Sequence, residues 1–139
     1  MLRRATEADA SAVYRLMLEC VDPPWTEDCV RSTVVGKNND FFVVTAGGEI
    51  IAYACAENVI DEGCITSVAV SPAHRGKGYA KALIAEIEKV GGMKSIYLEV
   101  EETNAPAIGL YLSCGFEKIS ERKKYYGDAS AYIMRKELI

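Results

Sequence analysis

The run Val68-Ala-Val-Ser-Pro-Ala-His-Arg-Gly-Lys-Gly-Tyr-Ala-Lys-Ala-Leu83 decides the fold of this chain. Residues 68–70 are apolar and typical of the end of a buried strand, which Ser71-Pro72 interrupts. Residues 75–80 then open a helix whose apolar positions recur at helical spacing as far as Val90. A strand, a glycine-containing turn and a helix N-terminus present free backbone N–H groups to an anion. The run therefore predicts a cradle for a diphosphate.

The residues of the turn narrow the class of ligand. Gly76 and Gly78 lack a Cβ and let the backbone approach a phosphate closely, while Arg75 and Lys77 add positive charge. Neither Gly-x-x-x-x-Gly-Lys-Ser/Thr nor Gly-x-Gly-x-x-Gly occurs, which argues against a nucleoside triphosphate or a dinucleotide. The pattern present is Arg-x-x-Gly-x-Ala. Its plain alternative is a helix start with two flexible glycines on a solvated turn.

Composition excludes several classes of protein. The chain has 139 residues, 50% of them apolar and 26% charged, and we expect a single domain over 1–139. It has no apolar run long enough to cross a membrane and no signal-peptide pattern after Met1. Five cysteines without a Cys-x-x-Cys pair, and one histidine, predict no metal site and reduced thiols in a cytoplasmic protein. A net charge of −4 argues against nucleic-acid binding and favours cationic substrates.

Hydrophobic periodicity predicts a mixed α/β (α+β) sheet with helices on both faces. Strands are expected over 1–4, 41–45, 49–58, 63–70, 95–101, 116–121 and 129–137, the last two joined around 126–128. Helices are expected from a capping pattern at Thr6 to about 21, from Thr26 to about 35, from the phosphate loop to 90, and over 104–114. The sheet would have about seven strands, flanked by about four helices.

Two polar residues downstream are candidates for a catalytic role. Glu99 lies in the apolar strand 96–100, and alternation places it on the face opposite the aliphatic side chains. A carboxylate there needs a task or a partner, and the plain alternative is pairing with a lysine or water at the strand end. Tyr111 shares one side of a helix with Asn104 and Ile108. A core tyrosine and a simple helix cap are the alternatives for Tyr111 and Asn104.

The loop 75–80 behind the run 68–70 resembles the pyrophosphate loop of the GNAT acetyltransferases, which bind acetyl-coenzyme A. Within that superfamily the chain is similar to the bacterial ribosomal-protein-alanine N-acetyltransferases, over about residues 2–137. Ser67 departs from the family pattern, which has asparagine at this position. The similarity is carried by Pro24-Trp25-Thr26, Asp61-Glu62, Leu98-Glu-Val100, Asn104, Ala107, Tyr111, Gly115-Phe116 and Arg122-Lys-Lys-Tyr-Tyr126.

The resemblance implies the GNAT fold, with two middle strands splayed to admit the pantetheine arm of acetyl-CoA. It implies that Glu99 is the general base and Tyr111 the general acid. The implied cofactor-binding residues are Val68, Ala69, Val70, Arg75, Gly76, Lys77, Gly78, Tyr79, Ala80 and Asn104. The weaker candidates for binding the acceptor are Trp25, Tyr125 and Tyr126, and Trp25 has the alternative of packing between two helices.

The expected reaction transfers an acetyl group from acetyl-CoA to a protein N-terminal α-amine, and the resemblance implies a ribosomal protein as acceptor. A base takes a proton from the incoming ammonium and an acid protonates the departing thiolate. An α-amine has a pKa near 8 against about 10.4 for lysine, which makes its deprotonation easier by roughly 3 kcal/mol. The alternatives are an acetyltransferase of a small-molecule amine on the same fold and a CoA-sensing module without turnover.

Overall fold

The computed structural model describes residues 1–126 and 129–138, with the side chains of residues 124–126 outside the description. In this part of the chain seven strands form one sheet. The strands are β1 (Leu2–Arg4), β2 (Asn39–Ala46), β3 (Glu49–Val59), β4 (Glu62–Val70), β5 (Ser95–Glu101), β6 (Glu117–Tyr126) and β7 (Ala129–Glu137). The α-helices are α1 (Ala10–Cys20), α2 (Glu27–Val35), α3 (Tyr79–Glu88) and α4 (Ala105–Ser113). The predicted order of strands and helices is confirmed.

The sheet order is β1-β2-β3-β4-β5-β7-β6, and only β4 and β5 pair in parallel. A parallel pair needs a crossover, and α3 supplies it between these two strands. Among the described residues, no helix has the length and apolar character needed to cross a bilayer.

Both capping patterns predicted from the sequence are present, and the pattern at Thr6 opens a 3₁₀ turn (Glu7–Asp9) that leads into α1. The Thr6 backbone N–H donates to the Asp9 carboxylate at 2.7 Å, and Arg3 holds the same carboxylate with two hydrogen bonds of 2.7 and 2.9 Å. The Thr26 hydroxyl accepts a hydrogen bond from the Cys29 backbone N–H at 3.1 Å. These caps satisfy donors that the first turn of a helix leaves unpaired.

Alternate residues of the strands belong to two hydrophobic cores, one on each face of the sheet. On the α1/α2 face, Val13, Met17 and Val30 are fully buried with Val43 and Tyr53 of the sheet. The opposite, α3/α4 face buries the larger core. Its fully buried members include Ala52, Ala54, Leu83, Ile87 and Ile96. The sheet is therefore covered on both faces, which fixes which strand residues remain near solvent.

The two middle strands separate at a β-bulge in β4. Strand β4 pairs with β5 only from Glu62↔Ser95 to Ile65↔Leu98, although β4 continues to Val70 and β5 to Glu101. On its other side β4 shifts register against β3 at the same level, where Cys55 opposes Ser67 and Ala56 opposes Ile65. A bulge bends the strand that carries it. The expected splay is confirmed, and residues 68–70 form one wall of the gap.

The prediction for the sixth strand was too short. Strand β6 runs to Tyr126 rather than to 121, with irregularities in its pairing at Lys118/Ser120 and at Arg122/Tyr126. The run after Glu121 is polar and gives no apolar alternation from which to predict a strand. Strand β6 lies at the edge of the sheet, and charged side chains are common on edge strands. The connection was predicted around 126–128, and residues 127–128 lie outside the described residues.

Candidate active site

A groove of about 630 Å³ opens where β4 and β5 separate. One wall is the end of β4, the floor is the turn before α3, and the other wall is the first part of α4. Its lining residues are Cys20, Val68, Ala69, Val70, His74, Arg75, Gly76, Gly78, Tyr79, Ala80, Lys81, Asn104, Pro106, Ala107, Leu110 and Tyr111. All the predicted cofactor-binding residues except Lys77 line this one groove, so the structure brings them together.

The turn before α3 is built as an anion cradle. Gly76 and Gly78 have φ angles of +77° and +85°, a region that residues with a Cβ rarely adopt. Gly78 is also the N-cap of α3 and supplies no side-chain cap. The backbone N–H groups from 76 to 81 find no acceptor among the described residues. The first turn of α3 therefore offers donors and a positive helix end to an anion.

The Arg75 side chain turns back onto β4 in this structure. Its Nε donates to the Val70 carbonyl at 3.0 Å, and its Nη2 lies 3.7 Å from the Cys20 sulfur. The Cys20 thiol in turn donates to the same carbonyl at 3.6 Å. The guanidinium thus holds the end of β4 against α1, and its charge stays at the groove because all three residues line it.

Tyr111 reaches the groove from the α3/α4 face. It packs edge-on against Phe116 with ring centroids 5.9 Å apart. Its hydroxyl has no hydrogen-bond partner in the part of the chain that the structure describes, and burial raises the pKa of the phenol to about 12. Asn104 caps α4, because its side-chain oxygen accepts from the Ala107 backbone N–H at 3.3 Å. That cap leaves the Asn104 side-chain amide nitrogen at the groove edge.

Glu99 lies on the face of β5 opposite Leu98 and Val100, as strand alternation predicted, and Tyr111 packs on the side of those two residues. Its side chain is 27% exposed, and its Oε1 lies 3.0 Å from Arg122 Nη2. Glu99 does not line the groove itself. Because Tyr111 packs on the side of Leu98 and Val100, the carboxylate and the phenol flank the gap between β4 and β5 from opposite faces.

Carboxylates and guanidinium groups share the surface beside Glu99. Burial raises the pKa of the Cys64 thiol, and the carboxylates of Glu57 and Glu99 raise it further. The pKa of Tyr97 is raised as well, first by Cys64 and then by burial, with smaller contributions from Glu62 and Glu57. Three carboxylates, those of Glu57, Glu62 and Glu99, therefore act on one patch of the α1/α2 face, and the Arg122 guanidinium occupies one of them.

Of the three predicted acceptor-binding residues, Trp25 is the one whose side chain the structure describes. Trp25 packs, half-buried, against the core of the α1/α2 face, and its backbone N–H lies 3.3 Å from the Met17 sulfur. This is the packing alternative, and a role in binding the acceptor stays a prediction. The side chains of Tyr125 and Tyr126 lie outside the described residues. Ser67 is held by a 2.8 Å hydrogen bond with the Tyr53 hydroxyl.

Sequence reasoning missed two groove residues with chemistry of their own. Lys81 lies in the first turn of α3, three residues after the N-cap Gly78, and its position at the start of the predicted helix was the signal that a second cation lies near the loop. Cys20 had no signal, since it comes from α1, far away in the sequence. His74, the one histidine of the chain, also lines the groove; it is half-buried, with its Nδ1 enclosed and unpartnered among the described residues. No group of three or more His, Cys, Asp or Glu side chains within this described part is placed to hold a metal ion.

Comparison with known proteins gives a consistent answer. Residues 10–116 match the model of the acetyltransferase (GNAT) family. The [ribosomal protein bS18]-alanine N-acetyltransferase of Escherichia coli K12 is 34% identical over 85% of this chain and 81% of its own length. An uncharacterized protein of Mycobacterium leprae is also 34% identical, over 84% of this chain, but the chain spans only 34% of that longer relative.

Among solved structures, the ribosomal-protein-S18-alanine N-acetyltransferase from Escherichia coli superposes with a TM-score of 0.90 at 31% identity. The match covers 99% of this chain and 93% of that one. The phosphate loop, the splayed strands and the matched length agree: the chain belongs to the acetyltransferase (GNAT) family, and acetyl-CoA is its acetyl donor.

Proposed function

We propose that this chain transfers an acetyl group from acetyl-CoA to the N-terminal α-amine of a protein, with an alanine-initiated ribosomal protein as the acceptor. The observation that carries the proposal is the position of Glu99 and Tyr111 on opposite faces of the gap between β4 and β5. The name of the Escherichia coli relative supplies the class of acceptor. We propose further that the enzyme acts in the cytoplasm, on newly made protein.

The groove supports acetyl-CoA as the occupant. The loop donors from Gly76 to Lys81 would hold the pyrophosphate, and Lys81 and Lys77 add positive charge at the same helix end. Beyond Ile65 the edge of β4 is no longer paired with β5, so backbone groups of 68–70 are available to the amides of a pantetheine arm. The thioester would then lie in the gap between the two strands.

Attack through this gap needs the acceptor and the leaving group on opposite sides. An amine that approaches from the α1/α2 face meets Glu99, which can take a proton from the ammonium directly or through water. The thiolate departs toward the α3/α4 face, where Tyr111 lies. A free N–H group near Val70 would polarise the thioester carbonyl as negative charge develops on its oxygen. The acetyl group passes directly from sulfur to nitrogen, and no acyl-cysteine is needed.

Burial of Tyr111 refines the role of its phenol. With its pKa at about 12 the phenol is neutral at any physiological pH, so its proton is always available. Full transfer to a thiolate of pKa about 8.5 would be uphill by roughly 5 kcal/mol. A short, charge-assisted hydrogen bond to the departing sulfur carries no such cost. We therefore assign Tyr111 to stabilising the thiolate by donating a hydrogen bond, with solvent completing the protonation.

A protein N-terminus fits the site better than the rival acceptors. Glu57, Glu62 and Glu99 place three carboxylates on the acceptor side, which suits a cationic segment that follows the reacting amine. An α-amine is easier to deprotonate than a lysine, so a single carboxylate is enough. A small-molecule amine is the second candidate, and the same carboxylates would favour a polyamine.

The acceptor class is tested by coenzyme A release from acetyl-CoA with three acceptors. These are an Ala-initiated peptide, the same peptide with its N-terminus blocked and one internal lysine, and a polyamine. We expect release with the first alone. Release only with the polyamine would replace the protein acceptor by a small molecule and leave the fold and the donor unchanged. Tight acetyl-CoA binding without release for any acceptor would favour the sensing module.

A further inference from the structure

The cation next to the candidate base is Arg122, which comes from the outermost strand of the sheet. Arg122 pairs in register with Ala131, and Ala131 pairs with Glu101, so its side chain crosses the whole width of β7 to reach Glu99. The contact of 3.0 Å joins Glu99 Oε1 and Arg122 Nη2. It ties the strand that carries the candidate base to the strand that leads into residues 127–128.

The position of this guanidinium matters because the acceptor also arrives as a cation. At neutral pH most of an α-amine with a pKa near 8 is an ammonium ion. Two positive groups then compete for one carboxylate, since each disfavours the other at short range. A neutral amine does not compete in this way.

We propose that Arg122 is a positioning residue that holds the Glu99 carboxylate in the acceptor-free enzyme and is displaced from it by the acceptor's ammonium group. The inference rests on the proposed function, in which Glu99 receives the acceptor. It makes acceptor affinity depend on a residue that does not touch the acetyl donor, because Arg122 does not line the groove.

The solvent exposure of the two side chains limits how much Arg122 can change acceptor affinity. The side chains of Arg122 and Glu99 are 51% and 27% exposed, so water screens the pair. Ion pairs of this kind contribute about 0.2–1 kcal/mol, which corresponds to a change of about 1.4- to 5-fold in acceptor affinity. The pair is therefore strong enough to orient a carboxylate and weak enough for an incoming ammonium to replace it.

The test compares acceptor KM for an Ala-initiated peptide at pH 7 and pH 9.5, in wild type and in Arg122→Gln. We expect Arg122→Gln to lower this KM about 1.4- to 5-fold at pH 7 and to leave it unchanged at pH 9.5, where the peptide amine is neutral. Arg122→Lys keeps the charge and should restore a wild-type KM. On a Glu99→Gln background, Arg122→Gln should leave the dissociation constant of the peptide, measured by calorimetry, unchanged.

The matched control is Arg135→Gln on the neighbouring strand, because that guanidinium pairs with Glu137 at 2.7 Å and not with Glu99. The acceptor KM of Arg135→Gln should change between pH 7 and pH 9.5 by no more than the acceptor KM of the wild type. A KM for Arg122→Gln that is unchanged or raised at pH 7, or lowered equally at both pH values, overturns the inference. Turnover that survives Glu99→Gln undamaged refutes the proposed base instead, whatever the Arg122 variants show.

Discussion

Replacing Tyr111 by phenylalanine tests the role that we propose for its hydroxyl at the groove. The substitution keeps the ring and its 5.9 Å edge-on contact with Phe116, and the hydroxyl gives up no hydrogen bond to a described residue. The fold should therefore be unaffected. Because a phenol of pKa about 12 acts by hydrogen bonding rather than by full proton transfer, the loss is that of one hydrogen bond to a charged sulfur. Such a bond is worth about 1.5–3 kcal/mol, or about 12- to 150-fold in kcat.

The assay measures the acetylated peptide by mass spectrometry at saturating acetyl-CoA and acceptor, which avoids thiol reagents that would attack the five cysteines. The dissociation constant of acetyl-CoA, measured by calorimetry, should stay within about twofold, since the interaction develops only as the thiolate departs. A kcat within threefold of wild type would refute the role of Tyr111. A loss of acetyl-CoA affinity as large as the loss of kcat would show instead that the hydroxyl already contacts acetyl-CoA in the ground-state complex.

Three further predictions concern the loop, the first helix and one strained turn. Gly78→Ala places a Cβ at φ +85°, with a strain of roughly 1–2 kcal/mol, and should weaken acetyl-CoA binding about 10-fold. Gly91→Ala, in open space and without a positive φ, should leave acetyl-CoA binding unchanged. Calorimetric measurement of acetyl-CoA binding to the two variants tests this prediction. The pKa of Asp9 is lowered from 3.8 to about 2, chiefly by the hydrogen bond from Arg3, so this carboxylate stabilises the fold above pH 4 and that stabilisation is lost as the pH falls toward 2. We expect the free energy of unfolding in urea to drop by about 2 kcal/mol through this window, and Asp9→Asn to lack that part of the slope. Ile60→Gly should raise the free energy of unfolding by roughly 0.5–1 kcal/mol, because Ile60 is 96% exposed and has φ +58°. A free energy of unfolding below that of the wild type would show that the Ile60 backbone is not strained.

The elements that carry the cofactor side were predictable because their signals are local. Breaking residues at Ser71-Pro72, glycines at fixed offsets and a helical repeat all fall within the run 68–83, and each has one conformational meaning. Alternation within 96–100 likewise put Glu99 on the correct face. These features need no knowledge of what packs against them.

The contacts between distant parts of the chain were not predictable in the same way. The Arg122–Glu99 pair spans two strand spacings across β7, and its register depends on the irregularities in β6. The approach of Cys20 to Arg75 depends on how α1 lies on the end of β4. Neither geometry leaves a periodic or compositional trace in the residues themselves. The expectations of one domain over 1–139, and of roles for Trp25 and the two tyrosines after residue 124, stay predictions.

The central claim is acetyl transfer to an α-amine, and one measurement tests it most directly. The enzyme is incubated with acetyl-CoA and an Ala-initiated peptide that contains one internal lysine, and fragment-ion mass spectrometry locates the added acetyl group. The account predicts the acetyl group on the N-terminal alanine and an unmodified lysine, because one carboxylate at Glu99 suffices for an amine of pKa near 8. Acetylation of the lysine in place of the terminal amine would contradict it.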